Sequence, residues 1–124
     1  MLISEMVGQY RSVRESTGLL LTPEELTECA LNAARFYAGY GPLRLLPVGS
    51  ITPDAATGLT IGELALVRPL FVLYAEREQA AMLEASRAAN VDFYGRAVSE
   101  IAADIQAAED RMSERAFVHK IITI

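Results

Sequence analysis

The chain has 124 residues, a formal net charge of −5, 52% hydrophobic residues and 19 alanines, which fits one domain with a modest core of small side chains. Its 11 Lys and Arg form no run, which argues against a dedicated nucleic-acid groove, and no apolar run reaches the roughly 20 residues that cross a bilayer. A lone cysteine, Cys29, rules out a disulfide framework and points to a reducing compartment, and Met1–Glu5 has neither the basic nor the apolar region of a secretory signal.

Met6, Tyr10 and Val13 recur at i, i+4, i+7 with Val7 beside them, which predicts a short helix over Ser4–Arg14. Arg11 and Glu15 are spaced for an i,i+4 pair on its wet side, worth a few tenths of a kcal/mol. Ser16-Thr17-Gly18 breaks the pattern. Thr22-Pro23-Glu24-Glu25 then supplies a cap, a proline for the first helical position and a Glu at N3, a capping box that starts a helix over Pro23–Tyr40. Leu26, Cys29, Ala30, Ala33, Tyr37 and Tyr40 lie along one face, and Gly41-Pro42 ends it.

Residues 41–59 hold Pro42, Pro47 and Pro53 with Gly41, Gly49 and Gly58, an extended central loop of the length that usually serves a function. Within it, Leu43–Val48 reads either as a short edge strand, where a proline is tolerated, or as a surface loop with apolar residues tucked beneath the helices. A second capping box, Thr60 to Glu63, opens a long helix to about Ala89 whose apolar face is Leu64, Val67, Leu70, Phe71 and Tyr74. Pro69 inside it removes a backbone donor and is expected to kink or divide the helix.

Asn90-Val91-Asp92 turns the chain, with Asn90 as terminator and Asp92 as the next N-cap. The last helix, to about Phe117, carries Tyr94, Ala97, Val98, Ile101, Ile105, Ala108 and Met112 inward at steps of three and four. Arg96 and Glu100 are spaced to pair on its outer face. The short connection makes the two long helices an antiparallel hairpin. After Phe117 the tail Val118-His119-Lys120-Ile121-Ile122-Thr123-Ile124 is β-branched and alternates in polarity. Such a segment can add a strand to a neighbour's sheet edge, so these seven residues are the candidate partner-binding site. The predicted fold class is all-α: one domain over 1–124, a small four-helix bundle with a long helical hairpin, an extended central loop at 41–59 and an extended C-terminal docking tail at 118–124.

Chemistry has little to draw on. The single histidine, His119, and the single cysteine, Cys29, could pair as base and nucleophile only if the fold brings them together. Cys29 sits among apolar helical positions and reads as a small buried hydrophobe. Zinc needs more Cys and His ligands than the chain has. Glu100 with Asp104, and Asp110 with Glu114, are carboxylate pairs on one helix, but the Glu-x-x-His motif of di-metal bundles is missing, so they read as a solvated face. Glu76-Arg77-Glu78 reads as a surface or intersubunit salt-bridge set. No phosphate-binding glycine motif or nucleophile elbow occurs. The expectation is no enzyme, no cofactor and no metal, and a role in association.

An Ala-rich capped helix and a long loop are followed by a long helix carrying Tyr74-Ala75-Glu76-Arg77-Glu78-Gln79-Ala80. Val91-Asp92-Phe93-Tyr94-Gly95-Arg96 then makes a turn, an acidic last helix follows, and the chain ends in a tail. In this order the chain resembles the head-to-tail connector, or adaptor, proteins of tailed bacteriophages, from Pro23 onward and most closely over Thr60–Ile124. The resemblance implies a structural virion protein, assembled in the host cytoplasm, whose four-helix subunits form a homo-oligomeric ring beneath the portal, commonly a dodecamer. The ring would extend the DNA channel, with Val118–Ile124 anchored on the portal protein. The 41–59 loop would face neighbouring subunits or a downstream neck or tail protein. DNA would pass an acidic lumen without specific binding, and no membrane is involved. The alternative reading is a small acidic helical regulatory module that sequesters a protein partner. A third is a helical-bundle enzyme using Cys29 or a carboxylate cluster.

Overall fold

The computed structural model describes residues 1–40, 43–46, 52–87 and 98–122. Over these the fold is all-α, a small bundle of four helices: α1 (Ile3–Arg14), α2 (Pro23–Ala38), α3 (Ile61–Arg87) and α4 (Val98–Ile122). A 3-10 turn, Glu15–Thr17, links α1 to α2. It ends at Gly18, whose φ of 89° is a left-handed conformation that favours glycine.

The helix starts follow the local chemistry. At α2, Thr22 Oγ1 accepts from Glu25 N at 3.2 Å and Glu25 Oε1 accepts from Thr22 N at 3.1 Å. At α3 the same reciprocal pair joins Thr60 and Glu63, at 3.3 and 2.9 Å. The α1 start has no such cap, because Leu2 offers no side-chain acceptor. Glu5 Oε1 takes Leu2 N at 2.9 Å. The next helical donors, Ile3 N and Ser4 N, reach across to the carbonyls of Thr57 and Ala55, both at 2.9 Å. The loop before α3 thus satisfies donors that a helix N-terminus leaves orphaned. The contact extends to an isolated antiparallel bridge between Leu2 and Gly58, with Leu59 N donating to Met1 O at 2.7 Å.

The core forms where the predicted stripes meet. Ile3, Met6 and Val7 of α1, Leu26, Cys29, Ala30, Ala33 and Ala34 of α2, Val67, Leu70, Phe71, Tyr74 and Ala75 of α3, and Ile101, Ile105 and Met112 of α4 are buried together. Alanines at 0% exposure on α2 and α3 let those two helices approach closely. Tyr10 meets Phe71 edge-on, with centroids 5.2 Å apart and planes at 66°, a favoured aromatic geometry. The two long helices are antiparallel: Glu84 Oε1, near the end of α3, accepts from Val98 N at 3.1 Å, while Ala108 and Met112 lie with Leu66 and Pro69 near its start.

Several elements differ from expectation. Pro69 does not divide α3; it is exposed, and so is Ala65, so water can bond the carbonyl that proline leaves without a donor. The α2 helix stops at Ala38, where its last turn tightens and Tyr40 N donates to Tyr37 O at 2.9 Å. Of the two readings of Leu43–Val48, residues 43–46 follow the surface-loop one, a turn with Leu43 buried and Leu45 exposed, while Pro47 and Val48 lie outside the described residues. Residues 54–57 close a second turn, in which Asp54 Oδ1 accepts from Ala56 N at 2.9 Å. Val13 was expected inside the α1 stripe but is 69% exposed.

The tail also differs. Helix α4 runs to Ile122, through residues 118–122, which were expected to be extended. A lone strand leaves its backbone groups unpaired unless an edge receives it, and no strand is present among the described residues. Continuing the helix pairs those groups at a propensity cost of only ~0.5 kcal/mol per β-branched residue. Asn90, Asp92, Tyr94, Arg96 and Ala97, and the ends Thr123 and Ile124, lie outside the described residues.

Candidate functional site

Two surfaces stand out. The first is at the end of the bundle where the chain's start, the loop and the start of α3 converge. Leu2 bridges Gly58. Leu45 Cδ1 lies only 3.0 Å from where a Cβ on residue 58 would sit, so glycine lets the two segments meet. Ile61, the first residue of α3, is 90% exposed. With Met1, these large apolar side chains face water. Beneath them Glu63, 3% exposed, holds the corner together: its Oε1 accepts from Thr60 N and its Oε2 from Arg44 N, both at 2.9 Å.

The second is a groove of about 280 Å³ between α1 and α3. Met6, Tyr10, Val13, Phe71 and Val72 supply an apolar lining, and Gln9, Arg14 and Arg68 the polar part. The Arg14 guanidinium lies over the Tyr10 ring, 5.4 Å from its centroid. Arg68 Nη2 bonds Gln9 Oε1 at 3.1 Å and Met1 Sδ at 3.3 Å. A smaller recess of about 140 Å³ lies between α3 and α4 around Leu66, Leu73 and Met112.

Of the expected partner-binding residues, Val118, His119, Lys120, Ile121 and Ile122 are the last turns of α4. Their side chains, and Thr123 and Ile124 entirely, lie outside the described residues, so the pairing of Cys29 with His119 does too. Cys29 itself is buried in α2. Burial, then the nearby Glu78, pushes its thiol up to about 11, with Arg77 opposing. Arg77 lies over the Tyr74 ring at 5.1 Å. Burial also lifts the Tyr74 hydroxyl to about 12, with Glu109 adding to the shift. The carboxylates Glu100, Asp104, Asp110 and Glu114 are exposed on the outside of α4. Among the described residues no group of three or more His, Cys, Asp or Glu is placed to hold a metal ion. No described helix is long and apolar enough to cross a membrane. The third bond of Glu63 carried no signal in the sequence, because it depends on Arg44, 19 residues away.

The shifted groups set an expected pH response. In the folded chain Cys29 and Tyr74 hold their protons to about 11 and 12, against ordinary values of 9.0 and 10.0. The folded state therefore binds more protons than the unfolded one in that window, and unfolding becomes easier as pH rises through it. This contribution is complete below pH ~9, and melting temperatures should fall from there upward. At pH 8 the thiol should resist a disulfide reagent until denaturant is added, because the thiolate is the reactive form. Rapid labelling of the native chain, or melts that do not change up to pH 11, would contradict the placement of these groups.

In comparison with known proteins, no family model, no curated protein and no solved structure matches this chain.

Proposed function

We propose that the chain is a structural subunit that associates with copies of itself, a head-to-tail adaptor of the tailed-bacteriophage kind. It would form a ring beneath a portal, in the virion, with DNA passing through the lumen. The observation that carries the reading is the apolar corner of Leu2, Leu45 and Ile61, exposed at 40%, 57% and 90%. Isolated exposed apolar residues are ordinary, but Leu2 and Leu45 both meet the chain at Gly58, three residues before Ile61, and a concentration of this kind marks an interaction surface. The order of capped helices, long loop and acidic last helix adds the resemblance. The net charge of −5 suits a wall along which DNA slides without adhering. In this reading the Val118–Ile124 segment anchors the subunit on the portal, with residues 118–122 entering as the end of helix α4 laid into a groove instead of as an added strand.

Deleting residues 118–124 should leave the circular dichroism of a folded helical chain while abolishing retention on an immobilised portal protein. Ile61→Lys, at an exposed helix start, should likewise leave the fold intact and remove ring particles from negative-stain images of the chain mixed with portal. Undiminished portal binding by the truncated chain, together with unchanged rings from Ile61→Lys, would overturn the proposal. A discrete small complex with some other protein, and no ring, would favour the regulatory-module reading.

A further inference from the structure

The outer face of α4 carries a seam that the core does not use. Glu100, Ala103, Ala107, Asp110 and Glu114 follow one another at steps of three, four, three and four, and all five are exposed. Steps of that size keep residues on one narrow line of a helix. Two alanines at the middle of the line would let another surface come close, and carboxylates stand on either side of them. Asp110 also accepts from Gln106 Nε2 at 3.1 Å. Ile101, Ile105 and Met112 occupy the opposite, buried side.

The α1–α3 groove is the complement. Its floor is apolar, Val13 at its rim is 69% exposed, and among the described residues the charged side chains lining it are Arg14 and Arg68. Arg68 bonds two uncharged groups, Gln9 Oε1 and Met1 Sδ. At 1.5 Å per residue the groove lining from Met6 to Arg14 runs ~12 Å, so it covers the central part of the ~21 Å seam.

We propose that the α1–α3 groove of one copy receives the Glu100–Glu114 seam of α4 from a second copy. Alanines would lie over Tyr10, Val13 and Val72, with carboxylates against the two guanidiniums. This deepens the ring reading and rests on the self-association proposed above. The two patches are different surfaces of the same chain, so unless two copies exchange them reciprocally the contact is heterologous and propagates from copy to copy, closing into a ring when the rotation allows.

Disulfide trapping tests the contact without requiring a ring. Two full-length chains, both carrying Cys29→Ser, receive Val13→Cys and Ala107→Cys respectively, are mixed at high concentration and are mildly oxidised. A control mixture replaces Ala107→Cys with Ala102→Cys, which is exposed but lies off the seam. The expected result is at least tenfold more mixed disulfide from the seam pair than from the control. Arg68→Glu in the Val13→Cys chain should reduce that yield. Equal yields from both pairs, or none from either, would overturn the inference. A trapped contact found only in closed two-fold dimers would keep the groove assignment and remove the ring. Rings seen by microscopy without the seam-specific disulfide would keep the ring and remove the groove assignment.

Discussion

Phe71→Ala should lower the unfolding free energy by about 3–5 kcal/mol, the range for removing a large aromatic from a packed core. Phe71 is fully buried and is one of the residues through which α3 meets α1, by the edge-on contact with Tyr10. Its loss would leave a void that neighbouring side chains cannot fill without moving a helix. Domains of this size are stable by only 5–15 kcal/mol, so the variant should melt roughly 10–20 °C lower. Urea titration followed by circular dichroism measures this directly. A loss below about 1 kcal/mol would mean that α1 is not seated on α3 as described. Phe71→Leu, which keeps most of the volume, should recover more than half of the loss.

The second large effect is expected at Glu63. Its carboxylate is buried, a costly position unless the charge is hydrogen-bonded, and here the backbone donors of Thr60 and Arg44 supply those bonds. Glu63→Ala would remove the partner of both part-buried donors, at up to about 1–3 kcal/mol each, the cost of a fully buried unsatisfied donor. The damage should be local as well as global, because the Arg44 bond pins residues 43–46 against the start of α3. Trypsin cleavage after Arg44 is therefore expected to accelerate in Glu63→Ala under conditions where the helices stay folded. Glu63→Gln keeps one acceptor oxygen and should fall between the two. If Glu63→Ala matched the parent in both urea midpoint and cleavage rate, the corner would owe nothing to this side chain.

The two variants illustrate different kinds of legibility. Phe71 stood out because it recurs with Val67, Leu70 and Tyr74 at helical spacing, and periodicity reports which side of a helix is dry. That Phe71 meets Tyr10 did not stand out, since a stripe says that a face is covered and not by what. Glu63 was legible as half of a capping box, a contact within three residues, while its bond to Arg44 joins positions 19 apart. The tail misled for a related reason: alternation and β-branching describe what Val118–Ile122 would do beside a sheet edge, and the bundle offers none among the described residues.

From its sequence alone this protein was determined to be an all-α bundle with helices near the observed positions, two reciprocal caps and a single shared core. Those features arise from interactions between residues three or four apart, which any reader of the chain can enumerate. The tertiary structure alone decided that Ala55 and Thr57 cap α1, that Glu84 caps α4, that Leu2, Leu45 and Ile61 share one exposed corner, and that a guanidinium-rimmed groove lies between α1 and α3. Each of these joins segments distant along the chain, and only the packing of whole helices determines which distant segments meet.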